Sequence, residues 1–359
     1  MVSFGVCFDA GHFDDPLAEL GKIRQMGAGW ARHVLFPDRD YRDLFRGSWE
    51  KHGVRVAAII AGESIAGRPY REALAQYAEQ YDGLVHLLLI GNEADQQPHE
   101  GLDESFEQTA EDWNSLLDAA MTEWPEVEKA GPGASSGQPW SLKDFNLGML
   151  NYLSAHPYGK WPGDVPVRGA PAGWGHGPLS DWLDGYAGLR KKLCIDEFGA
   201  PGSELGEGAQ ADYVSAMIER FACDGRVSHA FLYCWSDRMD PTRRMGLVRE
   251  DGSHKEAYDA FESQMWLDGR GATIDRESPP GGRMALADRD HEFVQAIAET
   301  GGAAVWGPEI NYLTVDSEDG QTRTRYTDGG FLVIHEGVAG AYAVPDARAL
   351  LAGKFRPKD

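Results

Sequence analysis

Two glutamates in this chain stand where an apolar run meets polar residues. Glu93 lies in "LLLIGNEADQQP" and Glu197 in "KLCIDEFG". Two carboxylates facing each other across one cleft can hydrolyse a glycosidic bond. One must be protonated to deliver a proton to the leaving oxygen, and the other ionised to act at the anomeric carbon. A shared pocket helps to part their proton affinities, because like charges at close range do not both ionise easily. Either glutamate alone reads equally well as a solvated loop carboxylate. The argument for chemistry rests on the pair, each member at the end of a strand-like run.

Around them stand side chains suited to hold a sugar. Asn92, beside Glu93, can hydrogen-bond a hydroxyl next to the reacting carbon. His156 and Tyr158, in "SAHPYG", share parity at another strand end, where either could hold the ionised carboxylate or simply pack in the core. Trp235, in "LYCWSD", offers a flat floor for a sugar ring. Trp174, with Trp140 and Trp161, sits in Gly/Pro-rich loop sequence, either as a stacking platform or as a pin for a long loop. Asp196 neighbours Glu197, so strict alternation turns it to the opposite face, toward a structural ion pair. His33 is expected to face outward, and His86 to be a core residue. Histidines and acids are scattered without ligand spacing, so no metal and no other cofactor is expected.

Eight strand-like runs must position these residues: 2–8, 29–36, 53–60, 84–91, 128–135, 151–158, 191–198 and 228–235. The fifth contains "GPGAS", which is poor strand material. Amphipathic helical patterns alternate with the runs, and the unit is complete within roughly 265 residues, the count and length of a (β/α)8 TIM barrel. A doubly wound open sheet would more often carry a glycine-rich phosphate turn after an early strand, and none is present. In a barrel, Glu93 ends strand four and Glu197 strand seven. Their separation fits three βα units of about 35 residues, and both fall on the face where barrel active sites gather.

The same segments carry a resemblance. "GNEAD", "HPYG", "IDEFG" and "YCWSD", in that order, resemble the retaining glycoside hydrolases of clan A, the group of cellulases, mannanases and xylosidases. "MGLVREDGSHKEAYDAF" resembles the end of many such barrels. The resemblance covers about residues 1–265. It implies that Asn92 and Glu93 are the clan's Asn and general acid/base, that Glu197 is the nucleophile, and that His156 and Tyr158 are the His-x-Tyr pair. It also implies that Arg32, in "WARHVLF", is the arginine beneath the nucleophile. The outcome it implies is a retaining one, with a carbohydrate as partner. The histidine common at the end of strand three is missing from "AAIIAGES", which leaves the family within the clan open.

Beyond a barrel at 1–266, the polar, Gly/Pro-rich stretch 267–283 reads as a linker, and 284–359 as a small α+β module with a hairpin at "TRTRYTDGGFLVIHEG". That module carries no motif that resembles a known family; it leaves open a second reading, a glycan-binding or virion or surface barrel that does not cut. A formal net charge of -23 argues against nucleic acid and against an anionic membrane surface as partners. The four cysteines form no CxxC pair, as in a reducing compartment or a protein without need of disulfides. The N-terminus runs straight into a strand with no export-signal pattern, and no window is long and apolar enough to span a membrane. The sequence does not specify the sugar, the oligomeric state or the location.

Overall fold

The computed structural model describes residues 2–93, 110–134, 142, 144–160 and 179–267, and the strands at 314–316, 322–327, 330–335 and 338–342. The chain divides into two units, Met1–Gln264 and Met265–Asp359.

In the first unit eight parallel strands close into a barrel. They are β1 (Ser3–Cys7), β2 (Trp30–Val34), β3 (Arg55–Ile60), β4 (Leu87–Ile90), β5 (Glu128–Ala134), β6 (Tyr152–Ala155), β7 (Lys192–Phe198) and β8 (Val227–Leu232). All eight expected strands form. Pairing of Val6 with Leu232 closes the ring and excludes the open sheet. The helices are α1 (Pro16–Gln25), α2 (Arg42–His52), α3 (Gly62–Ile65), α4 (Tyr70–Tyr81), α5 (Ala110–Glu123), α6 (Leu179–Tyr186), α7 (Gly202–Leu205), α8 (Glu207–Cys223) and α9 (Glu256–Leu267). Helix α1 starts where Asp15 accepts a hydrogen bond from the Ala18 amide and Pro16 takes the first helical turn, and it buries Leu20 and Ile23.

The run "LLLI" is apolar throughout because β4 is buried on both faces. Leu87 and Leu89 join the cluster inside the barrel with Cys7, Ile59, Ala130 and Cys194, whereas Leu88 and Ile90 are buried at the alternate positions. At the N-terminal end of the barrel Trp30 makes edge contacts with His86, His229 and Phe231. His33 is buried behind β2, against Tyr41 and Phe45.

The glycines that make β5 look unlike a strand are what let it pass close to β4. A side chain at Gly131 would place its Cβ 2.7 Å from the Ile90 carbonyl oxygen and 2.9 Å from the Trp113 ring. The β5–β6 register then shifts between Gly131 and Ala134.

The second unit contains an antiparallel sheet of β9 (Thr314–Asp316), β10 (Thr322–Thr327), β11 (Gly330–His335) and β12 (Val338–Tyr342), in the order β12-β11-β10-β9. Strands β10 and β11 pair as the expected hairpin, with Thr327 opposite Gly330. The linker and the helices expected in this module lie outside the described residues. Among the described residues, no helix is long and apolar enough to cross a membrane.

Candidate active site

Glu93 follows β4 by three residues. Its backbone is left-handed, with φ 51°, a region that non-glycine residues rarely enter. The Glu93 amide donates to the Gly133 carbonyl at 2.9 Å, so β5 fixes the peptide from which the carboxylate projects. Glu197 belongs to β7, where the β7–β8 register shifts between Ile195 and Phe198.

The structure brings five further side chains to these two. Arg32 donates from Nη1 to Glu197 Oε1 at 2.6 Å and from Nη2 to Asn92 Oδ1 at 2.8 Å. The Tyr158 hydroxyl donates to Glu197 Oε2 at 2.8 Å. Both oxygens of Glu197 are therefore held, and its carboxylate plane is set. His156 Nδ1 meets Glu93 Oε1 at 3.1 Å. On its other side, His156 Nε2 lies 3.3 Å from Asp196 Oδ1, and Arg32 lies 3.5 Å from Asp196 Oδ2. Cys7 sits beneath, its sulfur accepting from Arg32 and donating to the Asp196 carbonyl, both at 3.6 Å.

Burial works against a charged His156, but Asp196 and Glu197 beside it outweigh burial and hold its pKa up at about 10. The ring is thus an imidazolium at neutral pH, a donor from both nitrogens. Burial likewise opposes the charge on Asp196, and His156 and Arg32 overcome it and lower its pKa. Arg32 is raised because Glu197, Cys7 and Asp196 outweigh its desolvation. Burial and then the Glu197 charge push the Tyr158 phenol well up, so it remains a donor. Two buried cations, Arg32 and His156, thus face the buried Asp196 carboxylate and the partly buried Glu197. The Glu93 side chain is more open, 29% exposed.

Two expectations need correction. Trp235 does not line the cleft. It is fully buried, its Nε1 donates to Glu19 of α1 at 2.8 Å, and its ring packs on Tyr258. Strand β8 ends at Leu232, three residues short of the expected end, so Trp235 lies beyond the strand end at which the sequence reading placed it. Asp196 does not turn toward the helical layer either. It shares parity with Cys194 inside the barrel, and the irregularity in β7 lets Glu197 reach the same cleft. Trp174, Trp140 and Trp161 lie outside the described residues.

Tyr233 was not singled out in the sequence. It follows β8 directly and packs partly buried against the inner cluster. Burial raises its phenol, with further contributions from Cys234 and Glu197. Its signal was present one residue past the strand's true end, masked by the larger Trp235. Cys7 also touches the site through Arg32 and the Asp196 carbonyl, and burial raises its thiol strongly.

Glu93, His156 and Glu197 each offer a donor atom within 4.8 Å of the others, close enough in principle to share a cation. Those groups are already engaged within the protein, by Arg32 and Tyr158 at Glu197 and by Glu93 and Asp196 at His156.

No protein-family model matches the chain, and no curated protein matches it in sequence. Its fold is shared with solved glycoside hydrolases. A family 39 glycoside hydrolase from Bacteroides cellulosilyticus WH2 superposes with a TM-score of 0.57 at 14% identity, over 96% of this chain and 71% of that one. The GH5_18 protein of Streptomyces cattleya, in complex with GlcNAc, gives 0.54 at 17% identity, over 78% and 82%. A GH2 beta-galacturonidase from Eisenbergiella tayi, bound to glycerol, gives 0.54 at 17% identity over 77% of this chain, which spans 52% of that enzyme's length. The chain is thus a (β/α)8 barrel of the kind found in these hydrolases, and families 39 and 5 belong to the clan that the sequence motifs resemble.

Proposed function

We propose that this protein is a retaining glycoside hydrolase acting on β-linked carbohydrate, with Glu93 as general acid/base and Glu197 as nucleophile. The observation that carries the reading is the pair itself. Two glutamates at the ends of β4 and β7 bring carboxylate oxygens within 4.8 Å of one another. Retaining pairs lie about 5–5.5 Å apart, and inverting pairs, which must admit a water, about 6.5–9.5 Å. An approach of single oxygens within 4.8 Å is compatible with the shorter, retaining spacing.

The partners divide the roles. Glu197 is held at both oxygens by Arg32 and by Tyr158, which fixes the orientation of the carboxylate that would attack an anomeric carbon. Glu93 is more exposed and touches His156. In the first step Glu197 bonds to the anomeric carbon as the proton of Glu93 passes to the departing oxygen. In the second, Glu93 takes a proton from water, which displaces Glu197. Asn92, oriented by Arg32, stands beside the acid to bind a neighbouring hydroxyl. Tyr233 takes the place expected of Trp235 as the aromatic wall.

The test is reducing-sugar release from β-linked glucans, mannans, xylans and galactans. Wild type should act on at least one polymer, and Glu197→Ala should lose about a thousandfold or more in kcat while staying folded. Proton NMR of the first-formed sugar should show the β anomer. A folded wild type that cuts nothing yet is retarded on an affinity gel of the same polymers would replace this reading with the binding-only barrel.

A further inference from the structure

Behind Glu93 runs a chain of hydrogen bonds to β6. The Ser154 hydroxyl, fully buried, accepts from the Gly133 amide at 2.6 Å. The Gly133 carbonyl in turn accepts from the Glu93 amide at 2.9 Å. Both linked residues are left-handed, Gly133 with φ 67° and Glu93 with φ 51°. Gly133 permits this without a side chain: a Cβ there would come 3.2 Å from the Glu93 nitrogen and 3.3 Å from the Asn92 Cα. Two residues beyond Ser154, His156 meets the Glu93 carboxylate itself. Strand β6 and the residue that follows it therefore grip Glu93 twice, through its peptide and through its carboxylate.

We propose that Ser154 is a positioning residue for proton delivery: by fixing the Gly133 peptide it holds the Glu93 backbone in the conformation that aims its carboxyl at the leaving oxygen. The proposal rests on reading Glu93 as the acid/base. A hydroxyl that merely satisfied a buried amide would change stability, or all substrates alike. A hydroxyl that aims an acid matters in proportion to the leaving group's need for a proton.

That difference is measurable. In glycosylation the bond from Glu197 to the anomeric carbon forms as the bond to the leaving oxygen breaks. A benzyl alcohol leaves only with the proton of Glu93, whereas 2,4-dinitrophenolate leaves as the anion. Wild type, Ser154→Ala, Ser154→Thr, Gly133→Ala and Glu93→Ala would be compared by kcat/KM on benzyl and 2,4-dinitrophenyl β-glycosides of glucose, galactose, mannose, xylose and glucuronic acid. Ser154→Ala should lose about tenfold or more on the benzyl glycoside and less than about threefold on the dinitrophenyl one, a partial loss of general acid catalysis. Ser154→Thr, which keeps the hydroxyl, should recover most of the difference. Equal losses on both substrates, or none, overturn the proposal. Should Ser154→Ala fail to fold, Gly133→Ala strikes the same link from the other side and carries the same expectation. Glu93→Ala separates the two ideas. If it discriminates between leaving groups and Ser154→Ala does not, only the role of Ser154 falls. If Glu93→Ala does not discriminate, or wild type hydrolyses none of the glycosides, the acid assignment falls and takes this proposal with it.

Discussion

Tyr158 tests how far the nucleophile depends on its neighbours. Its hydroxyl donates to the Glu197 oxygen opposite the one held by Arg32. Tyr158→Phe keeps the ring and removes one hydrogen bond to a charged group, worth about 1.5–3 kcal/mol. We expect kcat to fall about ten- to a hundredfold with the melting temperature nearly unchanged; an unaltered kcat would release Tyr158 from this role. Arg32 is different, because it also neutralises Asp196 and is itself buried. These residues were legible from sequence because each stands at or near the end of a recognisable strand, where parity or motif still assigns a face. Asp196 and Trp235 were misplaced for the complementary reason. A register shift in β7 breaks the alternation that placed Asp196, and the early end of β8 leaves Trp235 beyond the strand end assigned to it.

At the scale of elements, the support behind the site is built from residues that carry no chemical signature. The strand order followed directly from alternating apolar runs and helical stripes, but no pattern announced that "GPGA" would come within a Cβ of β4. Gly131→Ala should therefore destabilise by about 1–3 kcal/mol, the usual cost of overpacking, read as a lowered urea midpoint with an unchanged slope. A stability equal to wild type would show that β4 and β5 can separate freely. The segment after β8 is held by a comparable device. Lys255, fully buried, donates to Asp237 at 2.8 Å and to the carbonyls of Arg244 and Gly246 at 2.8 and 3.0 Å. Gln210 of α8 joins the same segment to Ala200, three residues beyond Glu197. The phrase "GLVREDGSHKEAYDAF" thus places a cation that ties the ends of β7 and β8 together. Its likeness to other barrels was visible in the sequence, but the partners that Lys255 finds in the loop after β8 were not. Lys255→Met leaves Asp237 buried without its counter-ion and should cost about 3–5 kcal/mol.

For the whole molecule, titration sets the range of pH over which the barrel holds. Burial lowers His33, His86 and His229 to about 4 each, from an ordinary value near 6.5. All three are neutral in the fold, yet take up a proton near pH 6.5 once unfolded. The unfolded chain therefore binds more protons between about pH 6.5 and 4, and stability must fall as pH drops through that window. Each histidine adds up to about 1.4 kcal/mol per pH unit to the slope, less where solvent screens it, as at half-buried His86. His156 acts in the opposite sense. Raised to about 10, it contributes stability that is complete below about pH 6.5 and is lost as pH rises through 10. The formal charge of -23 adds self-repulsion that salt screens, so the profile must be recorded at fixed ionic strength. Thermal melts from pH 4 to 10 should then show a maximum near pH 6.5, with a steep acid limb below it and a shallower alkaline limb above it. His156→Gln should lower the maximum and remove most of the alkaline limb while leaving the acid limb in place, because the three histidines that produce it lie outside the charged cluster. An alkaline limb that persists in that variant would mean that the imidazolium does not balance Asp196 and Glu197, and the charge count at the centre of the site would have to be redrawn.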